Sequence, residues 1–301
     1  MKNLTKILLP ALMCGVMLLT GCDKAPEPSE IVVSDGMSEP SPAVFPCDSC
    51  GVTLKSAVQR AVSLSPAATE IICELGFKDR LVGISRYCDY PEGLSAKVVG
   101  STENPDMDAI IELKPDAVFT LSPLSEREIY SLNQEGISVL TAPMPSDPDG
   151  YSALYREFAA AFYGKENTED GIRRSEKIGA DALSALEQAA DDIEEGSFVY
   201  ITGKLTFAGA GTFEGSVLGI IGENLCTRNG YVTLDDYWEE LTELSPAYMI
   251  AADTLTEQEI RKSATLTKLL ETGTKLRFVS SQCFERPSAR TAKVFEAIKS
   301  N

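Results

Sequence analysis

Apolar positions along this 301-residue chain fall into short runs separated by longer amphipathic stretches. Ala61–Leu64, Leu81–Ile84, Ala117–Leu121 and Ile137–Leu140 are runs of four or five, the length of a buried strand. Between them the spacing changes to three and four. Ser65 is placed to cap a helix, with Pro66 at its first position and Gly76 at its end. Further helices are predicted over Met107–Leu113, stopped at Lys114-Pro115-Asp116, and over Glu126–Gln134, stopped at Gly136. Apolar strands alternating with helices predict a parallel sheet covered on both faces.

The middle of the chain breaks this rhythm. From Tyr151 to Glu195 there is almost no strand pattern. Ile172, Ile178, Ala182, Leu183, Leu186, Ala190 and Ile193 recur at helical spacing, which predicts one helix over 172–194, about 35 Å long. The βα pattern then resumes. Strands are predicted at Phe198–Ile201, Tyr248–Ala251 and Leu276–Val279. Helices are predicted at Ser216–Ile221, at Leu234–Leu244 capped by Thr233, at Glu257–Leu270, and at Ser288–Lys299. The expected architecture is α/β: two lobes with parallel sheets, 52–150 and 196–301, joined by a helical connector over 151–195.

The first 51 residues belong to neither lobe. Lys2 and Lys6 precede an apolar run from Ile7 to Leu19, followed by Leu19-Thr20-Gly21-Cys22. A positive start, a short apolar core and small residues before a cysteine make an export signal with a lipobox. The run is shorter than the ~20 residues of a membrane span. Residues 1–21 are therefore read as a removable signal peptide, and Cys22 as the site of lipidation. Residues 22–51 are rich in Pro, Ser and Glu and read as a disordered tether. The expected location is the extracytoplasmic face of the cell membrane, held there by lipid.

Charge and composition narrow the chemistry. The net charge is −18, and loss of Lys2 and Lys6 takes the mature chain to −20. Such a surface repels nucleic acid. The chain has no histidine, which excludes a Ser-His-Asp triad, a His general base, HExxH zinc sites and His-ligated haem. No metal site and no cofactor are expected. Of eight cysteines, Cys14 leaves with the signal and Cys22 takes the lipid. Cys47, Cys50, Cys73, Cys88, Cys226 and Cys283 remain, and six cysteines allow fifteen pairings. Cys47-Asp-Ser-Cys50 is open to three readings: a local bridge, two idle thiols or a redox pair.

The two βα blocks echo each other. Asp108-Ala-Ile-Ile-Glu-Leu-Lys-Pro115 aligns with Glu239-Glu-Leu-Thr-Glu-Leu-Ser-Pro246. Each puts an acid seven residues before a proline, in a first helical turn where the helix dipole favours negative charge.

Four segments in this order, behind a lipobox, resemble one family: Ser63-Leu-Ser-Pro-Ala-Ala-Thr-Glu70, Arg86-Tyr-Cys-Asp-Tyr-Pro91, Leu113-Lys-Pro-Asp116 and Phe284-Glu-Arg-Pro-Ser-Ala-Arg290. The chain is similar over 52–301 to the substrate-binding proteins of iron–siderophore, haem and cobalamin ABC importers, with the cobalamin branch nearest. The resemblance implies two α/β lobes joined by a long helix, ligand held in the cleft between them, and no catalysis. Carried over, it implies ligand contacts at Tyr87, Phe207, Gln282, Cys283, Phe284, Glu285 and Arg286. It also implies that Asp108 and Glu239 dock onto the permease dimer, which works with its ATPase subunits. Thr102 stands where that branch has a pocket tryptophan, Gln282 where it has Asp, and the branch's disulfide has no evident counterpart.

A corrinoid is a broad apolar disc edged with amides. Tyr87, Phe207 and Phe284 suit its faces; Gln282 and Arg286 suit its rim. A ferric siderophore asks instead for cations, which Arg86 and Arg286 supply. Cys88 and Cys283 are expected to flank the cleft. The expected protein is a monomer that binds cobalamin or another corrinoid. The alternatives are haem or ferric-siderophore capture and, more remotely, an exported glycosidase working with two carboxylates.

Overall fold

The computed structural model describes residues 45–164, 168–242 and 245–300; the side chains of 168–173, 238–239 and 241–242 are outside that description. The signal peptide, Cys22 and the tether up to residue 44 also lie outside it. Among the described residues, regular structure is present before the predicted boundary at 52. β1 (Cys47–Ser49) and β2 (Val52–Leu54) form an antiparallel hairpin. It is fixed by polar contacts with a later helix over Tyr151–Tyr163. Cys47 Sγ donates to Ala160 O at 3.2 Å, Ser49 Oγ to Glu157 O at 2.7 Å, and Cys50 N to Glu157 Oε2 at 2.7 Å. These long-range contacts override a composition that reads as linker.

The first lobe follows the predicted order. β3 (Ala61–Ser63), α1 (Pro66–Glu74), β4 (Leu81–Ile84) and β5 (Lys97–Val98) come first. α2 (Met107–Glu112), β6 (Ala117–Thr120), α3 (Glu126–Gln134) and β7 (Ser138–Thr141) complete it. The five strands are all parallel, in the order β5-β4-β3-β6-β7. α2 is capped by the Asp106 side chain, and α3 by a Ser125–Glu128 capping box.

The connector is a pair of helices, α4 (Tyr151–Tyr163) and α5 (Thr168–Ala190). They pack so closely that a Cβ on Gly179 would lie 2.9 Å from Ser152 Cα, which calls for glycine there. The Tyr151 hydroxyl donates to Thr291 Oγ1 at 2.6 Å, and the Tyr155 hydroxyl bonds Glu74 of α1. α4 is thus tied to both lobes.

The second lobe contains β8 (Phe198–Ile201), β9 (Thr206–Ala208), α6 (Phe213–Leu218), β10 (Tyr231–Thr233) and α7 (Leu234–Thr242). It ends with β11 (Tyr248–Ala252), α8 (Glu257–Ile260), α9 (Ala264–Glu271), β12 (Lys275–Val279) and α10 (Lys293–Ser300). Its sheet has the order β10-β9-β8-β11-β12. The expected strands β8, β11 and β12 are parallel, and the edge pair β9–β10 is antiparallel. The helix predicted over 257–270 is two helices. Thr256 with Glu259 caps α8, and Ser263 caps α9, so the second cap ends the first helix. The last predicted helix opens as a 3₁₀ turn over Ala289–Ala292.

One apolar core runs from β3 (Ala61) through Phe119, Phe158 and Leu186 to Phe198, Tyr200 and Phe295. It joins the inner faces of both sheets through α4 and α5. Each outer face has its own cluster, around Ile110 and Leu132 in the first lobe and around Met249 and Leu266 in the second. The lobes are therefore fastened along one side, and a groove opens on another.

Candidate functional site

The groove lies beyond the carboxyl ends of the parallel strands, where open α/β sheets present loops that take ligands. Its volume is about 820 Å³, within the range of sites that hold a single bulky small molecule. From the first lobe it is lined by Leu64, Ser65 and Pro66 after β3, by Arg86, Tyr87 and Asp89 after β4, and by Thr102, Glu103, Leu121, Ser122 and Met144. From the second lobe it is lined by Thr254 after β11 and by Ser281, Gln282, Glu285 and Arg286 after β12. In the first sheet, β3 is the strand from which the order runs outward in both directions, so the loop after it sits at the switch point.

The floor of the groove is an ion-pair cluster between the lobes. Glu70, 1% exposed on α1, accepts from Arg286 Nη1 at 3.3 Å, Arg290 Nη1 at 2.9 Å and Ser288 Oγ at 2.6 Å. Arg286 Nη1 also bonds Asp89, and Nη2 donates to Tyr87 O at 3.1 Å and Gln282 Oε1 at 3.3 Å. Burial raises the Asp89 carboxyl, but the hydrogen bond and charge of Arg286, with Arg290 beside it, leave its pKa lowered. The same two carboxylates raise Arg290 against the effect of its own burial. Two acids of one lobe thus meet two arginines of the other, and the cluster is close to neutral.

The walls are charged differently. Arg86 forms no ion pair among the described residues. Glu103 and Glu285 face the groove from opposite lobes. Burial raises the Glu285 carboxyl, Arg286 opposes this, and Glu214, Glu103 and Asp253 add to it. The open groove therefore holds more uncompensated negative charge than positive. Tyr87 supplies an aromatic surface and is 56% exposed.

The structure brings Tyr87, Gln282, Glu285 and Arg286 together around the groove. It corrects three of the predicted contacts. Phe207 is fully buried in the second lobe's outer cluster, its ring edge-on to Tyr237 at 6.2 Å. Phe284 is buried in the main core, edge-on to Tyr200 at 5.0 Å. Neither lines the groove, because each fills the core beneath its own backbone. Cys283 lines a smaller cavity beside the groove. Arg286 is committed to Glu70 and Asp89 instead of standing free at the rim. Thr102 lines the wall, its hydroxyl spent on Leu64 O at 2.6 Å. Sequence reasoning missed Glu70, Asp89 and Glu103. Glu70 had a visible sign: an acid set among Ala67, Ala68, Ile71 and Ile72 in the middle of an apolar helix.

All six described cysteines carry free thiols. Burial raises each of them, Cys73 to about 11 and Cys50 to about 12, which keeps them protonated and inert. Among the described residues no group of three or more Cys, Asp and Glu side chains is placed to hold a metal. Asp108 is exposed in the first turn of α2. Glu239 lies in α7, with its side chain outside the description.

This architecture of two α/β lobes around a helical connector, with a groove across the strand ends, defines a class of binding protein. The family model for periplasmic binding proteins matches residues 62–273, and the chain belongs to that family. It is 26% identical over 267 residues to the uncharacterized ABC transporter substrate-binding lipoprotein YvrC of Bacillus subtilis (strain 168), covering 84% of this chain and 82% of that protein. It is 30% identical over 125 residues to the vitamin B12-binding protein of Vibrio cholerae, covering 40% and 45%. Among solved structures, the fold matches the periplasmic haem-binding protein HutB of Vibrio cholerae with a TM-score of 0.66 at 17% identity, covering 80% and 98%. It matches the vitamin B12 binding protein BtuF of the same organism with a TM-score of 0.59 at 19% identity, covering 81% and 96%. Among the described residues no helix is long and apolar enough to cross a membrane.

Proposed function

We propose that this chain is the lipid-anchored substrate-binding protein of an ABC importer, and that it captures cobalamin or another corrinoid in the groove. The observation that carries the choice of ligand is the charge of the groove. Arg286 is neutralised by Glu70 and Asp89, while Glu103 and Glu285 face the opening. An anionic ferric complex or a haem with ionised propionates meets repulsion from these acids. A corrinoid, with a broad apolar face and amide edges, meets Tyr87 as a flat surface and Gln282, Ser122 and Thr254 as hydrogen-bonding groups. The vitamin B12-binding relatives support the same reading.

A second reading, capture of haem or a ferric siderophore, is favoured by one observation. Arg86, without an ion-pair partner among the described residues, sits in the wall where a ligand carboxylate would reach it. Calorimetric titration with cyanocobalamin and with a ferric siderophore separates the two. Cyanocobalamin binding at one equivalent supports the corrinoid; siderophore binding weakened by Arg86→Ala supports the alternative.

Delivery follows from the two lobes. Asp108 and Glu239, one on each lobe, would dock onto basic residues of the permease and give a two-point electrostatic latch that sets orientation and on-rate. The lipid on Cys22 would hold the protein near that permease as a monomer. The chain binds and releases its guest unchanged; it has no catalytic part in this scheme.

A further inference from the structure

The helix that starts in the groove presents its positive end there. α1 follows β3 almost directly, and Ser65 and Pro66 at its start line the groove. The helix is nine residues long, and its first turn holds no acid to offset the dipole. Ser65 occupies the cap position with extended backbone, but its side chain caps nothing. Ser65 is 8% exposed, and its hydroxyl has no hydrogen-bond partner among the described residues. Among those residues Arg290 Nε is the one side-chain polar atom both sealed and without a partner, so the Ser65 oxygen opens to the groove it lines. A hydroxyl this buried gains from a guest that completes its bonding. A cation stands beside it. β3 and β4 are parallel, Ser63 lies opposite Ile84, and Ser85 N donates to Ser63 O at 2.8 Å. Ser65 and Arg86 thus leave the ends of neighbouring strands together, and both line the groove. Arg86 is exposed and has no ion-pair partner among the described residues. Asp89, in the same loop, is taken by Arg286 and Arg290. The other acids on the walls, Glu103 and Glu285, face the groove and repel any further negative charge on a guest. This corner therefore suits one singly charged oxyanion on an otherwise neutral molecule.

We propose, resting on the corrinoid reading of the groove, that Ser65, Arg86 and the start of α1 form the seat of a phosphodiester on the guest. The protein then selects complete cobalamins, whose nucleotide tail carries that group, over cobinamides, which lack it. Arg86 gives charge-assisted hydrogen bonds to the phosphate oxygens, the Ser65 hydroxyl donates one more, and the helix end favours their charge. A phosphodiester holds a single negative charge throughout the physiological pH range, which one arginine matches. The propionates of a haem bring more negative charge than this corner balances.

The test is calorimetric titration of the folded protein with cyanocobalamin and with dicyanocobinamide, both uncharged overall, beside Arg86→Gln and Ser65→Ala. Arg86 is exposed, so its variant keeps the fold, and a melting curve unchanged from wild type checks this for each variant. Tighter binding of cyanocobalamin than of dicyanocobinamide, weakened about tenfold in Arg86→Gln and about threefold in Ser65→Ala, supports the seat. Dicyanocobinamide should stay within about twofold in both variants, which separates the phosphate from the rest of the tail. Equal losses for the two ligands, no loss for either, or equal wild-type affinity for both overturns the seat and leaves the corrinoid reading standing. Absence of binding to either corrinoid overturns the seat and that reading together.

Discussion

The floor and the walls of the groove use charge in opposite ways. On the floor, Glu70, Asp89, Arg286 and Arg290 are paired across the lobes, and Glu70 and Arg286 are almost wholly buried. On the walls, Arg86, Glu103 and Glu285 are exposed, and none has an ion-pair partner among the described residues. Buried charge must be matched to be tolerated, so the floor is a structural device that fixes how the lobes meet. Exposed charge is solvated at little cost, so the walls are free to select a guest by sign. The same residue types thus do different work a few residues apart, and Arg286 belongs to the first group although its neighbour Glu285 belongs to the second.

The sharpest way to break this contrast is at the floor. Glu70→Ala leaves two arginines facing one carboxylate in a buried site. It should cost about 3–5 kcal/mol in urea unfolding, whereas Glu103→Ala on the wall should stay within about 0.5 kcal/mol. Equal costs would erase the distinction. Next comes delivery. Asp108→Ala with Glu239→Ala should leave ligand affinity unchanged and reduce uptake in cells about tenfold; normal uptake would remove both residues from the docking surface.

A smaller effect is expected at Tyr87. Its exposure means Tyr87→Ala should not alter the melting curve, but loss of an aromatic contact should weaken the ligand by about three- to tenfold. The pH dependence is smaller still. Asp89 is lowered from 3.8, so the stability it lends is complete above that value and is lost as pH falls through its folded pKa. Wild type and Asp89→Asn should differ at neutral pH and converge in acid. Glu285, raised above 4.5, has the opposite sign: its ionisation costs stability above its folded pKa, and Glu285→Gln should be slightly stabilising at pH 7.

The regular parts of the fold were readable from the chain. Short apolar runs placed β3, β6, β8 and β11, and the Thr233 cap marked the start of α7, because these signals are local. The edge strands β9 and β10 were not readable: three residues carry no period. The hairpin at 47–54 was hidden in linker-like composition and owes its order to contacts with α4, more than 100 positions away. At the site, Tyr87 and Gln282 could be placed by resemblance to the family. The resemblance gave positions and not directions, and so assigned Phe207 and Phe284 to the groove when their rings point into the core. The pairing of Glu70 with Arg286 spans 216 positions, beyond any local pattern.

The central claim is that the groove accepts an uncharged, apolar-faced corrinoid and rejects anionic iron complexes. Its most direct test is a competitive titration of the purified protein with cyanocobalamin, haem and a ferric siderophore. The account predicts one equivalent of cyanocobalamin bound, with neither iron ligand displacing it at equal concentration. Binding of haem or the siderophore with no response to cyanocobalamin would contradict it.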